Sequence, residues 1–196
     1  MAKRPIVFFL GDIYLYHRTT INTLKMKVIK KILLGLLALL ALLLVVALFV
    51  PKEFKSERQI IINKPRQEVF DYLKYVKNQN NFGVWQKTDP EMKTSFEGTD
   101  GQIGFKYSWD GKKIGKGSQT ITKIVDGDRI ETELDFGFGD PAAAFFIVND
   151  AGAGQTSVTW GITGRSPWPF NIMSLFYDMG KDFEKGLENL KDILEK

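Results

Sequence analysis

Few residues of this chain have the types and spacing that catalysis needs. The chain has no cysteine and a single histidine, His17, near the N-terminus. Histidine acid–base chemistry, thiolate nucleophiles, iron–sulfur clusters and thiolate metal sites therefore have no candidates in the rest of the sequence. An acid–base enzyme would use carboxylates, tyrosines or lysines inside a pocket. Asp89 and Tyr107 are the candidates for such a role, and the sequence pairs neither with a partner.

The other polar clusters have structural interpretations. Glu131, Glu133 and Asp135 alternate with apolar residues, so we expect them on the solvent face of a strand. The glycine-rich stretch 111–117 lacks the spacing of a phosphate-binding loop and is typical of a hairpin between two strands. We therefore assign no catalytic residue, and we expect no metal and no cofactor.

The formal charge of +4 is distributed unevenly along the chain. Residues 1–50 hold seven lysines and arginines and one acid, for a charge of +6, whereas residues 51–196 hold 20 basic and 22 acidic side chains, for −2. Binding to a phosphate backbone requires a basic surface, which the larger part of the chain lacks. We expect no nucleic-acid partner.

Residues 32–50 form an apolar run without a charged side chain, close to the about 20 residues that cross a bilayer as a helix. Four lysines precede the run: Lys25, Lys27, Lys30 and Lys31. The positive-inside rule therefore predicts a cytoplasmic N-terminus and an extracytoplasmic domain, periplasmic in a Gram-negative cell. A cleaved signal peptide is the rival interpretation. Its apolar core would be shorter, about 7–15 residues, and would end in small residues.

The order of patterns predicts four regions. Residues 1–25 form a leader without a clear period, and Met26, followed by lysines and the apolar run, is our hypothesis for the true start. Residues 26–51 are the cytoplasmic flank and transmembrane helix, residues 52–56 a linker, and residues 57–196 one domain. The membrane is therefore an expected partner through residues 32–50.

Within the domain, the patterns predict strand, helix, an antiparallel meander and a long C-terminal helix. Strand-like alternation covers residues 103–109, 130–138 and 156–163, and 126–128 and 150–155 have turn signals. Apolar residues then recur three or four apart from Ile172 to Leu194. The sheet and the helix each have one apolar face, so the expected class is α+β, with the sheet wrapped around the long helix.

This order resembles the helix-grip fold of the SRPBCC superfamily, which includes START-like lipid-binding domains. Several strings are similar to its polyketide cyclase/dehydrase-like group over about residues 57–196: Pro65-x-x-Glu68-Val69-Phe70-Asp71, Trp85 with Asp89-Pro90-Glu91-Met92, Gly115-x-Gly117, Val158-Thr159-Trp160 and Gly180 to Leu187. The resemblance implies a hydrophobic cavity between the sheet and the long helix.

Residues on the apolar faces are the candidates to line that cavity. They are Phe105, Tyr107, Trp109, Leu134, Phe136, Trp160, Met179 and Phe183. Aromatic residues at this spacing also fill ordinary cores, so the same residues have a structural interpretation.

Three functions remain open from the sequence. The first is a membrane-anchored domain that binds a small hydrophobic or amphipathic, lipid-like ligand without chemistry of its own. The second is a cyclase- or dehydratase-type enzyme on a hydrophobic substrate, which needs an acid or base in the cavity. The third is an interaction module with a filled core. Trp168 and Phe170, which precede the long helix, are either a contact with a membrane or lid, or a staple for the helix.

Overall fold

The computed structural model describes the backbone of residues 7–196 and the side chains of residues 26–196. The chain divides into a first unit that ends at Phe49 and a second unit, Val50–Lys196. The first unit contains helix α1 (Val7–Phe49), which begins well before the apolar run. Within α1, Met26–Phe49 is long and apolar enough to cross a membrane, and a signal sequence would have the same properties. The predicted leader, residues 1–25, lies outside the described side chains, and both this leader and the start at Met26 stay predictions.

The second unit is built on one seven-stranded antiparallel sheet in the order β1-β7-β6-β5-β4-β3-β2. The strands are β1 (Glu53–Ile62), β2 (Lys93–Glu97), β3 (Lys106–Gly111), β4 (Gly115–Val125), β5 (Arg129–Asp135), β6 (Ala142–Gly152) and β7 (Gln155–Arg165). Strands β2 to β7 follow one another as a meander, and β1 pairs with β7 as the edge strand on that side. The predicted α+β class is confirmed.

Two of the predicted turns join neighbouring strands. Residues 126–128 link β4 to β5, and Gly127 there has φ of 67°, a left-handed conformation that glycine adopts without steric cost. Residues 153 and 154 link β6 to β7. The stretch 111–117 is also a hairpin, between β3 and β4, as predicted.

The helices cover one face of this sheet. They are α2 (Arg66–Leu73), the short α3 (Gln79–Phe82) and α4 (Val84–Thr88), and the C-terminal α5 (Met179–Leu194). Helix α5 packs against β1 and β7. Its Phe183, Leu187 and Leu190 are buried in the same core cluster as Val158 and Trp160 of β7. The long helix and the curved sheet therefore share one core, as the two apolar faces predicted.

The C-terminal helix is shorter than its apolar period predicted. It begins at Met179, because the Asp178 side chain accepts a hydrogen bond from the Gly180 backbone N–H and so caps the first turn. Residues Phe170–Leu175 form a separate 3-10 helix. Apolar side chains of that stretch, and the Phe176 side chain that follows it, are exposed rather than part of the buried face of α5.

The strand boundaries also differ from the prediction. Residues 53–56, expected in a linker, belong to β1, which pairs with β7 along its whole length from Glu53 opposite Arg165. Ile103, expected in a strand, lies in an exposed turn before β3, and Phe138 lies beyond the end of β5. Strand β2 was not predicted, because all five of its residues are exposed and the stretch has no apolar alternation.

Candidate functional site

A cavity of about 160 Å³ lies between the inner face of the sheet and helices α4 and α5. Its walls come from strands β3 to β7, from both helices and from the segments that precede β2 and α5. The lining residues are Gln79, Trp85, Gln86, Met92, Tyr107, Trp109, Ile114, Gln119, Leu134, Phe136, Ala144, Trp160, Ile162, Tyr177, Met179 and Phe183. The second unit therefore has the internal space that a filled interaction module would lack.

The structure brings together seven of the eight residues proposed from the sequence. Tyr107, Trp109, Leu134, Phe136, Trp160, Met179 and Phe183 all line the cavity. Phe105 does not. It is buried in a separate cluster with Val76 and Ile121, and its ring stacks on Phe96 with 6.2 Å between centroids. The apolar face of β3 thus continues past the cavity into a second part of the core.

Aromatic contacts hold the wall near α5. The Trp160 ring lies 4.9 Å from Phe183 and 5.0 Å from Phe146, measured between centroids. Trp85 of α4 meets Trp160 edge to face at 5.8 Å. Such pairs stabilise by about 0.5–1.5 kcal/mol each beyond the burial of their area. This side of the cavity is therefore formed by rings that support one another.

Two glycines allow two of the cavity tryptophans, Trp160 and Trp109, to lie close to the backbone. A Cβ atom on Gly186 of α5 would lie 2.5 Å from Cζ3 of Trp160. A Cβ atom on Gly117 of β4 would lie 2.4 Å from Cζ2 of Trp109. Both distances are shorter than a van der Waals contact, so each glycine determines where its indole ring can lie.

Three glutamines and two tyrosines supply the polar atoms of the wall. Gln119 donates to the Thr132 hydroxyl at 3.0 Å, and the Tyr107 hydroxyl donates to Asn80 at 3.3 Å. Burial raises the pKa of Tyr107, and a hydrogen bond donated by the Gln86 amide N–H to the phenol oxygen offsets part of that rise. The Oε1 atom of Gln86 is buried and has no hydrogen-bond partner among the described residues. It is an acceptor without a donor.

Tyr177 lies where the wall meets the surface. Burial and, after it, the hydrogen bond that the hydroxyl donates to Asp182 raise the pKa of its phenol, and a hydrogen bond with Trp85 acts in the opposite direction. The net result is a pKa of about 12. The phenol is therefore protonated at neutral pH, and its single proton is engaged in the hydrogen bond to Asp182. It cannot serve there as a general base.

Among the described residues, no carboxylate, lysine, arginine or histidine lines the cavity. Asp89 is buried, but its Oδ2 accepts the Lys113 backbone N–H at 2.7 Å and so holds the tip of the β3–β4 hairpin. Glu131, Glu133 and Asp135 lie away from the cavity. Within the described part of the chain, no group of three or more metal-ligating side chains is found.

Sequence reasoning missed about half of the wall. Trp85, Gln86 and Gln79 come from short helices, and Met92 and Ile114 from loops, where no apolar period marks the inward side. Gln119 is polar on an inward-facing position of β4. A signal for Trp85 exists, since a tryptophan in a stretch of turn-forming residues is usually buried against a neighbouring element.

No protein-family model matches this chain. No curated protein matches it in sequence. Solved structures do match. One is norcoclaurine synthase from Thalictrum flavum in complex with dopamine and hydroxybenzaldehyde, with a TM-score of 0.56, 8% identity, and 73% of this chain and 87% of that chain covered.

The Aha1 dimer from Colwellia psychrerythraea matches with a TM-score of 0.52 and 14% identity over 72% of this chain and 96% of that chain. DynU16, from the dynemicin biosynthetic locus, matches with a TM-score of 0.51 and 13% identity over 72% of this chain and 47% of that one. The domain has the helix-grip fold. These identities are low, so the likeness concerns the fold alone.

Proposed function

We propose that the domain binds a small hydrophobic or amphipathic, lipid-like molecule in the cavity between the sheet and α5, and that the apolar part of α1 anchors it in a membrane. The observation that carries the proposal is the cavity itself, with its aromatic walls and few polar atoms. Pockets that bind small molecules have this composition, with a few polar groups that orient the ligand. The resemblance to the polyketide cyclase-like group supports the same kind of site.

The size of the cavity limits what it encloses. At about 160 Å³ it is close to the cavity of about 150 Å³ that holds one benzene molecule in another protein. One aromatic ring or a short segment of alkyl chain fits within it. A longer ligand would bury only its apolar end here and leave the remainder at the mouth.

Gln86 supplies a hydrogen-bond acceptor for a polar group of the ligand. Its unpartnered, buried Oε1 carries a desolvation cost of about 1–3 kcal/mol that a hydroxyl or amine donor on a ligand would relieve. We therefore favour an amphipathic ligand, with an apolar ring or chain and one hydrogen-bonding group, over a pure hydrocarbon.

The anchor gives this site its context. Residues 32–50 cross the membrane, with the lysine-flanked N-terminus in the cytoplasm and the domain outside it. A domain held at a bilayer meets membrane-derived ligands at a high effective concentration. A lipid-like ligand is therefore the class that this arrangement favours.

An enzyme of the cyclase or dehydratase class is the second candidate, favoured by the fold shared with norcoclaurine synthase. Among the described lining residues the titratable groups are Tyr107 and Tyr177, and burial raises the pKa of both. Neither phenol supplies a base at neutral pH. The absence of a charged group from the described wall leaves binding as the function that the cavity supports better.

The test is a titration of the full chain in detergent micelles with phenol and, separately, with benzene. Binding is followed by the NMR signals of the indole N–H groups. Trp85, Trp109 and Trp160 line the cavity, whereas Trp168 does not and serves as the reference. We expect phenol to shift the three cavity signals more strongly than the reference signal.

Variants on one strand separate the cavity from nonspecific partition into the micelle. Ala144 lines the cavity, and Ala143 next to it lies on the opposite face of β6. We expect Ala144→Leu to weaken phenol binding about tenfold or more, which corresponds to about 1.4 kcal/mol, and Ala143→Leu to leave it unchanged. Gln86→Leu should weaken the binding of phenol more than that of benzene. Equal effects of the two leucine substitutions at 143 and 144 would contradict the proposed site.

A further inference from the structure

Within the second unit, exposed apolar side chains are concentrated in one segment, Phe170–Tyr177, just before α5. Phe176 is 73% exposed, and Phe170, Met173 and Leu175 are each more than half exposed. Scattered exposed apolar residues are normal on a soluble surface, but a contiguous set marks a contact with a membrane, a partner or a ligand. We therefore expect one of these to contact the segment.

A second loop adds to the same surface. Phe138 follows β5 and is 71% exposed. The loop that carries it lies beside Pro167, since a Cβ atom on Gly139 would be 3.5 Å from Cδ of that proline. Strands β5 and β7 both pair antiparallel with β6, so their C-terminal ends lie at the same end of the sheet. Phe138 and the segment Phe170–Tyr177 therefore lie at one end of the domain.

The chain enters the domain at this same end. The Asn171 side chain donates a hydrogen bond from Nδ2 to the Val50 carbonyl at 2.8 Å, and the Ser166 backbone N–H donates to the Lys52 carbonyl at 2.7 Å. Val50 directly follows Phe49, the last residue of α1. The exposed segment is therefore tied to the first residue after the apolar helix.

From these three observations we infer that Phe170–Tyr177, together with Phe138, is a second membrane contact, which inserts into the interfacial layer of the bilayer that α1 spans. The inference rests on the proposed anchor. The tether argues for a membrane over other occupants, because the hydrogen bond to Val50 keeps the segment beside the point where the chain leaves the helix. Aromatic residues such as Phe176 and Tyr177 suit this layer, where one side is apolar and the other wet.

This contact gives the cavity a route to the bilayer. Tyr177 belongs to the exposed segment and also lines the cavity, and Met179, two residues later, lines it as well. With the segment inserted, the mouth beside Tyr177 faces the interfacial layer. A lipid-like ligand then exchanges between cavity and bilayer without crossing bulk water, where the transfer of its apolar part is unfavourable.

The test uses the absence of cysteine from the chain, which allows one cysteine to be labelled with a nitroxide without other changes. Phe176→Cys reports on the segment. Ile103→Cys is the matched control, because Ile103 is 65% exposed and precedes β3 at the opposite end of the sheet. Each labelled full chain is reconstituted into phosphatidylcholine nanodiscs. Spin relaxation by oxygen, which enriches in the bilayer, is compared with relaxation by a water-soluble nickel chelate.

We expect oxygen to dominate at position 176 and the nickel chelate to dominate at position 103. Nickel-dominated relaxation at both positions, in chains that stay in the nanodisc, would overturn the inference and leave the anchor intact. If oxygen dominates at position 176 only when several copies share a nanodisc, a second copy of the chain covers the segment. That result would also overturn the inference. A chain that leaves the nanodisc would overturn the proposed anchor, and this contact with it. The phenol titration tests ligand binding separately.

Discussion

At Gly186, helix α5 lies against the Trp160 indole with no room for a side chain. An alanine Cβ would lie 2.5 Å from Cζ3 of the ring, about 0.9 Å short of the 3.4 Å at which ordinary contacts begin. Phe146, Phe183, Phe82 and Trp85 surround the ring at centroid distances of 5.0, 4.9, 5.5 and 5.8 Å. Their packing leaves the cavity as the open space into which the indole can move.

Gly186→Ala therefore combines two opposing effects. Alanine favours the helix by up to about 1 kcal/mol relative to glycine. Overpacking of a filled core costs about 1–3 kcal/mol. We expect the free energy of unfolding to fall by up to about 2 kcal/mol, and phenol binding to weaken because the displaced indole occupies part of the cavity.

Gly180→Ala in the same helix is the matched control. Its Cβ would meet the Arg58 guanidinium, the mobile end of a partly exposed side chain that can swing away. The lost ion pair with Asp178 is a surface pair, which contributes about 0–1 kcal/mol. Because both substitutions replace a helical glycine by alanine, the difference between the two variants reports mainly the overpacking at Gly186, about 1–3 kcal/mol, less up to about 1 kcal/mol for the ion pair lost in Gly180→Ala.

The assay is urea unfolding of the full chain in detergent micelles, followed by tryptophan fluorescence. We expect Gly186→Ala to have the lower midpoint of the two variants, with an unchanged slope. Equal free energies of unfolding and equal phenol affinities for the two variants would refute the reasoning that Gly186 determines the position of the cavity wall.

Three further outcomes follow from the structure. Asp178→Ala removes the N-cap of α5 and should lower the free energy of unfolding by about 0.5–2 kcal/mol in urea, whereas Asp178→Asn should retain most of it. Asp89→Ala leaves the Lys113 N–H without its carboxylate and should cost about 1–3 kcal/mol, measured in the same way. The Tyr177 phenol should titrate near pH 12 in the ultraviolet difference spectrum between wild type and Tyr177→Phe. Since its pKa is raised from 10.0 in the folded state, its contribution to stability should be present below pH 10 and be lost as the pH rises towards 12; titration near pH 10 would contradict this.

Much of the fold could be predicted because its periods are strong. The meander from β4 to β7 has apolar alternation and glycine turns in the sequence, and the structure has the corresponding strands and turns. The start of α5 was not predictable from the period, because Ile172, Leu175 and Phe176 continue it across the Asp178 cap although they do not join the buried face. The apolar period indicates which residues are hydrophobic, and it cannot distinguish burial from an exposed contact surface.

The candidate site was predictable where it lies on regular elements. Trp109, Leu134, Trp160 and Phe183 sit on inward faces of strands or of α5, so their spacing gave their position. Trp85 and Gln86 lie on α4, a helix of five residues, where the packing of the chain determines the direction of each side chain. The partnerless oxygen of Gln86 could not be anticipated, because an unsatisfied atom depends on every neighbour around it.

Native mass spectrometry tests the central claim most directly. The full chain would be purified from the envelope of its own host in mild detergent, as wild type, Ala144→Leu and Ala143→Leu, and each sample would also be extracted with solvent. We expect a stoichiometric small-molecule adduct, with an apolar part and one hydrogen-bonding group, on the wild type and on Ala143→Leu, and its loss from Ala144→Leu. A wild-type protein without an adduct or extractable molecule, or an adduct that Ala144→Leu retains in full, would contradict ligand binding in this cavity.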